Sequence, residues 1–187
     1  GLGNAAGVYA LNSAALELFQ FARRAGLVTV LEQSSAPRGI ENEIMAPEYE
    51  RFPGWATPPG DTGREEEYFN REKEEWSQAS VILCPSEFVR AAVAQAGGPR
   101  GRCVVVPYGF DAACPPVRRT GRSGPLRVLT VGHVALQKGS HYVLAAARLM
   151  GDRAQFRMVG RIAVGSEAEA ELRTGVELVG AVSRSEV

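Results

Sequence analysis

The 187-residue chain is short of the residues that build most metal and thiol chemistry, with three cysteines (Cys84, Cys103, Cys114) and two histidines (His133, His141). The cysteine spacing suits neither a zinc site nor a paired disulfide framework, and it points to a reducing cytoplasm. No CxxC, HExxH or GxSxG sequence is present, which excludes the usual thiol-redox, zinc-protease and serine-hydrolase readings. The Gly-rich dinucleotide fingerprint follows no strand-like run, and the P-loop pattern is missing. No apolar run approaches the ~18–20 residues that a membrane span requires, and no secretory signal pattern opens the chain. Lys+Arg and Asp+Glu both number 21, so there is no basic excess to suit nucleic acid.

What is there is an ordinary globular composition, 45% hydrophobic, enough for one domain or two small ones. The charge is unevenly spread. Asp61 to Glu75 holds seven acids and three bases, whereas Gly98 to Arg127 holds six arginines and one acid, Asp111. Solvated faces are the plain reading of both runs. The arginines also allow peripheral contact with anionic membrane at its inner face, at ~1 kcal/mol for each one close to the surface.

Asn12 to Arg24 reads as a helix capped by Ser13, and Leu27 to Leu31 as a buried strand. Gln33 to Pro59, with five prolines, reads as a long loop, and Arg64 to Trp76 as a very polar helix. A regular rhythm follows. Ser80 to Cys84 is strand-like, Ser86 caps a helix with Phe88, Val89, Ala92, Val93 and Ala96 on its apolar face, and Cys103 to Val106 is strand-like again. After a Pro- and Gly-interrupted stretch the pattern repeats as strand 126–131, helix 140–150, strand 155–159, helix 167–173 and strand 176–179, with Ser166 to Glu169 as a capping box. Short apolar strands alternating with helices predict an α/β fold: two Rossmann-like, doubly wound parallel-sheet blocks. The expected division is 1–110 for the first block, 111–124 for a linker and 125–187 for the second. The chain opens at Gly1 without an initiator Met and ends at Val187 soon after a strand-like run, so both blocks are expected to be incomplete.

The run VGHVALQKG, Val131 to Gly139, places a glycine, a histidine and a lysine between a strand and a helix. Unpaired N–H groups and the helix dipole at Gly139 and Ser140 favour an anion, with a phosphate or diphosphate as the expected guest. Lys138 and His133 are the side chains placed to meet it. Arg161, after Gly160 at the next strand end, reaches the same region, while His141 falls within the helix and reads as structural.

Taken in order, ASVILCPSEFV (Ala79 to Val89), VVVPYGFD (Val104 to Asp111), VGHVALQKG, FRMVG (Phe156 to Gly160) and VELVGAVSRSEV (Val176 to Val187) resemble the family 4, or group 1, retaining glycosyltransferases of the GT-B fold. A looser likeness runs back to Gly7, where the following segment resembles a helix of the N-terminal, acceptor-side domain. The resemblance implies transfer of a sugar from a nucleotide-diphosphate sugar to a hydroxyl acceptor, glycan or lipid-linked, with retention at the anomeric carbon and without a metal or other cofactor. It assigns Lys138, with Gly139, to the donor diphosphate, Gly132 to the preceding loop, Gly160 and Arg161 to the second glycine loop, and Gly180 to Val182 to the region of the nucleotide base. Gly109 and Asp111 match the hinge segment. His133 stands where the family often has arginine, and imidazole lacks the fixed bidentate fork of a guanidinium. The loop after Leu31 reads Glu32-Gln33-Ser34-Ser35 where the family commonly has a histidine, and the family's E-x7-E element would lie beyond Val187. A nucleotide-sugar epimerase of the same fold and a non-catalytic nucleotide-binding fragment are the alternatives.

Overall fold

The computed structural model describes residues 3–58, 64–109, 124–183 and 186. Its elements fall into two compact units, one of Gly1–Ile44 with Gly60–Ala113 and one of Met45–Pro59 with Cys114–Val187. Both are α/β. Met45–Pro59, which the sequence places in the first block, thus clusters with the second; residues 111–123 of the expected 111–124 linker, Asp111 among them, lie outside the described residues.

In the first unit, strands β1 (Gly7–Leu11), β2 (Val28–Glu32), β3 (Val81–Cys84) and β4 (Cys103–Val105) form one parallel sheet in that order. The lead-in to the first helix is therefore a strand. Side chains alternate across the pleat, so Leu31, Ile82, Cys84 and Cys103 share a buried face with Phe19, Trp76, Val89 and Val93 from helices α1 (Leu16–Arg24), α3 (Glu65–Gln78) and α4 (Glu87–Gln95). The opposite face carries the exposed Tyr9, Leu11, Val28 and Val104.

Two helix starts in this unit, those of α1 and α2, receive carboxylates from far along the chain. The expected Ser13 cap is not used: α1 begins at Leu16, and Ser13 adopts φ +72°. Glu75 of α3, fully buried, accepts instead from the amides of Ser13 (2.7 Å), Ala15 (2.9 Å) and Leu16 (3.3 Å). Glu72, one turn earlier, accepts from the amide of Arg38 at 3.0 Å, at the start of helix α2 (Arg38–Arg51). That helix corrects the reading of Gln33 to Pro59 as a loop; it contains Pro47, and its last turns belong to the second unit. Ser86 caps α4 as expected, with Oγ accepting from Val89 N at 3.3 Å, but Phe88 is exposed and leaves the apolar face to Val89, Ala92 and Val93.

In the second unit, β5 (Leu126–Val131), β6 (Ala154–Val159) and β7 (Glu177–Gly180) form a parallel sheet in that order. Helices α5 (Ser140–Met150) and α6 (Ser166–Leu172) supply Leu144 and Leu172 to a core with Val134, Met158 and Leu178, and Trp55 enters it from the Met45–Pro59 segment. The capping box at Ser166 is not formed. Gly165 is the N-cap, its amide donating to the Trp55 carbonyl at 3.3 Å, and a Cβ there would come within 2.3 Å of the Gly54 oxygen. Tertiary packing of Gly54 against Gly165 sets that helix start.

Candidate functional site

Each strand of the second sheet ends in a glycine with a positive φ: Gly132 (+139°) after β5, Gly160 (+149°) after β6 and Gly180 (+85°) at the end of β7. These are conformations that side chains rarely adopt. The three are stitched together by backbone bonds, Gly132 N–H to the Val159 oxygen and Gly160 N–H to the Gly180 oxygen, each 2.9 Å. The approach is close. A Cβ on Gly160 would lie 1.9 Å from the Gly132 oxygen, so only glycine lets the two loops meet. The structure thus brings three separate sequence assignments into one row at the carboxyl edge of a parallel sheet, where open α/β sheets bind ligands.

Beyond the glycines the β5 and β6 loops stay paired. Val134 N–H donates to the Arg161 oxygen and Ala163 N–H to the Val134 oxygen, both at 2.9 Å, making a parallel bridge between Val134 and Ile162. Val134, Ala135 and Leu136 are buried and anchor the loop, which leaves His133 and Lys138 exposed; Arg161 on the neighbouring loop is exposed as well. Val182, two residues past Gly180, is half-buried. Apolar anchors therefore hold the polar candidates out toward solvent.

The helix N-terminus is less open than the sequence implies. Residues Leu136–Lys138 form a 3-10 turn and Gly139 takes φ +70° before α5. Within this turn the amides of Lys138 and Ser140 donate to the Ala135 oxygen and that of Gly139 to the Leu136 oxygen. Ser140, fully buried, accepts from Ala135 N–H through Oγ at 2.9 Å. The expected cradle of free amides at Gly139 and Ser140 is thus used internally, which leaves the exposed Lys138 and His133 side chains as the polar groups of this loop. The sequence singled out Ser140 for its amide alone, whereas its hydroxyl ties the turn to itself.

His141 lies in the core of the unit, as its helical position implies. Nε2 is 2.8 Å from Glu48 Oε2, the ring is 4.1 Å from that of Phe52 and 3.9 Å from that of Tyr142, and the buried Nδ1 has no hydrogen-bond partner among the described residues. Tyr142 donates to the other Glu48 oxygen at 2.9 Å, which raises its phenol above the usual range. One carboxylate from Met45–Pro59 therefore holds the first turn of α5.

In the first unit, Glu32 stands at the end of β2 and accepts from the Tyr108 hydroxyl at 2.9 Å. Gly109 lines the same cleft. Cys84 and Cys103 are free and buried; burial pushes the Cys84 thiol up to about 12 and raises Cys103, so neither is a thiolate nucleophile at neutral pH. Cys114 lies outside the described residues, as do Arg118, Arg119 and Arg122 of the basic run, while Arg102 donates to the Ala79 and Ser77 carbonyls. Among the described residues, no group of three or more His, Cys, Asp or Glu is placed to hold a metal ion, and no helix is long and apolar enough to cross a membrane.

No family model matches the chain, and no curated protein sequence matches it. Solved structures do. The crystal structure of Anabaena HepE in complex with UDP and glucose aligns over 94% of this chain and 48% of its own, with 16% identity and a TM-score of 0.60. The same protein in complex with UDP-glucose aligns over the same shares, with 15% identity and a TM-score of 0.61. The apo lipopolysaccharide outer core galactosyltransferase WaaB, at a TM-score of 0.45 and 12% identity over 91% of this chain and 48% of its own, is too distant to carry an argument. The chain spans about half the length of these proteins, and at such identities the likeness is one of fold: two Rossmann-like parallel-sheet blocks of the GT-B type.

Proposed function

We propose that the chain is part of a glycosyltransferase, which moves a sugar from a nucleotide-diphosphate sugar to a hydroxyl acceptor with retention of anomeric configuration. The row of Gly132, Gly160 and Gly180 carries the reading. It bares backbone at three neighbouring strand ends and lets a diphosphate approach where a side chain would block it. HepE, whose fold this chain shares, has been crystallised with UDP and with UDP-glucose, which supports the ligand class.

In this reading Lys138 and His133 sit over the diphosphate, Arg161 adds charge from the β6 loop, Gly139 shapes the turn, and the backbone from Gly180 to Val182 lies beneath the base. The bond from the anomeric carbon to the diphosphate oxygen breaks, the acceptor oxygen bonds to the same face of that carbon, and the acceptor proton leaves with the diphosphate. Negative charge grows on the leaving oxygens as the bond stretches, so preformed positive groups lower the barrier. Lys138 and Arg161 supply that charge without a metal ion, and His133 adds a hydrogen-bond donor beside them. Loss of one such group costs ~3–4 kcal/mol by analogy with oxyanion sites. In the complete protein Lys138→Ala is therefore expected to lower turnover at least about a hundredfold, measured as sugar release from UDP-glucose onto acceptor. Near-normal turnover would sink the assignment.

A further inference from the structure

One stretch of chain, Glu48 to Trp55, reaches the start of both helices in the second unit. Glu48 bonds the first turn of α5 through His141 Nε2 at 2.8 Å and the Tyr142 hydroxyl at 2.9 Å. At the other end the Trp55 carbonyl accepts from the N–H of Gly165, the N-cap of α6, at 3.3 Å. Aromatic rings join the two ends: Phe52 lies 4.1 Å from the His141 ring and meets Trp55 edge-on at 6.2 Å, and Trp55 meets His141 edge-on at 5.5 Å. Met45, Tyr49 and Ala56 pack against the core of the same unit.

Each of these helix starts follows a loop that carries charge in the donor reading. The turn before α5 is closed on itself, since Ala135 N–H donates to Ser140 Oγ and the amides of Lys138 and Ser140 donate back to the Ala135 oxygen. Lys138 therefore moves with Ser140, His141 and Tyr142 as one piece. The loop of Arg161 is pinned by the Val134 to Ile162 bridge and then runs to Gly165, where a Cβ would stand 2.3 Å from the Gly54 oxygen. Glu48 is the decisive contact of the stretch. A carboxylate only accepts, so His141 donates from Nε2, and Nδ1 of the same buried ring has no hydrogen-bond partner among the described residues. Without Glu48 both ring nitrogens would be buried unpaired, a cost that drives the ring and its helix turn to move. Apolar packing is non-directional, whereas two hydrogen bonds to one carboxylate fix how the first turn of α5 is rotated.

We propose that Glu48 is a positioning residue for the donor diphosphate: through the first turn of α5 it fixes Lys138, and the stretch from Glu48 to Trp55 holds the Lys138 and Arg161 loops at one spacing. This role rests on the sugar-transfer reading. Calorimetric titration of UDP into the full chain tests it, with circular dichroism showing each variant folded at the temperature used. Glu48→Ala is expected to weaken UDP binding about fivefold or more. Glu48→Gln is expected to stay within about twofold of the parent, because its amide oxygen accepts from His141 and its N–H donates to the Tyr142 hydroxyl. Gly165→Ala, at a φ of −63° that suits alanine, pushes against the Gly54 oxygen and is expected to weaken binding about threefold or more. Val176→Ala, in the same core, is expected to lower the melting temperature and leave UDP affinity within about twofold. Unchanged UDP affinity in Glu48→Ala and Gly165→Ala, an equal loss in Val176→Ala, or no recovery in Glu48→Gln overturns the positioning role and leaves the donor site standing. A parent chain that binds no UDP overturns the donor reading and this role together.

Discussion

Single carboxylates do much of the local organising in the first unit. Glu75, itself with no solvent exposure, receives three amides at the start of α1 and lies 3.5 Å from Arg71 Nε. Removing it leaves those donors buried, which costs about 3 kcal/mol when hydrogen bonds to a charged group are lost. We expect Glu75→Ala to lower stability by that order in urea unfolding followed by Trp76 fluorescence, whereas Ser13→Ala shifts it by less than about 0.5 kcal/mol. Equal effects would mean that Ser13 is the cap after all. The reason sequence pattern chose Ser13 is distance: capping rules look three or four residues along, and Glu75 is 62 residues from Ser13. Acid titration tests a neighbouring pair. Arg71 bonds Glu17 at 2.6 Å and holds its carboxyl at about 2, below the ordinary 4.5. The folded state therefore binds this proton less readily than the unfolded chain, and the pair's support is complete above pH 4.5 and lost as pH falls toward 2. Glu72 runs the other way, since burial raises its carboxyl and protonation then favours the folded state. Carbon-detected NMR should find the Glu17 midpoint near 2, and Arg71→Ala should return it toward 4.5.

At the level of elements, strands and the helices between them were legible because apolar runs and alternation are short-range signals. Helix α4 shows it best, with Ser86 capping and Val89, Ala92 and Val93 buried. Helix α2 was hidden by its prolines. Pro37 precedes its first turn and Pro47 lies inside it, where a proline lacks the amide that would bond the Glu43 carbonyl and crowds that oxygen, at up to about 3 kcal/mol. Packing outweighs that penalty: Met45, Tyr49 and Phe52 lie against the core of the second unit, and Glu48 bonds His141 and Tyr142. Pro47→Ala is expected to slow amide hydrogen exchange across Glu48–Arg51, since the last turns gain a bond. Unchanged or faster exchange there would show that the proline is not the weak point. The glycine row was half legible. Each glycine could be placed after a strand by pattern, but that Gly160 meets the Gly132 oxygen, and that the turn amides before α5 are already paired, depends on three-dimensional contact.

For the whole molecule, alternating strands and helices implied two parallel sheets, and two were found. The return of Met45–Pro59 to the second unit had no sequence signature, because its aromatic residues lie among prolines and its partners are about 90 residues away. Trp76 belongs to the first unit and Trp55 to the second, so each unit carries its own fluorescent reporter. The residues of the proposed donor site all belong to the second unit, and binding of a nucleotide diphosphate is the property from which the functional reading follows. Calorimetric titration of UDP into the chain and into Lys138→Ala measures it most directly. One UDP per chain is expected, with affinity about tenfold or more weaker in the variant, the loss that follows when a charge-assisted contact is removed. No heat of binding up to millimolar UDP, or equal affinity in the two proteins, would contradict a diphosphate site at Lys138.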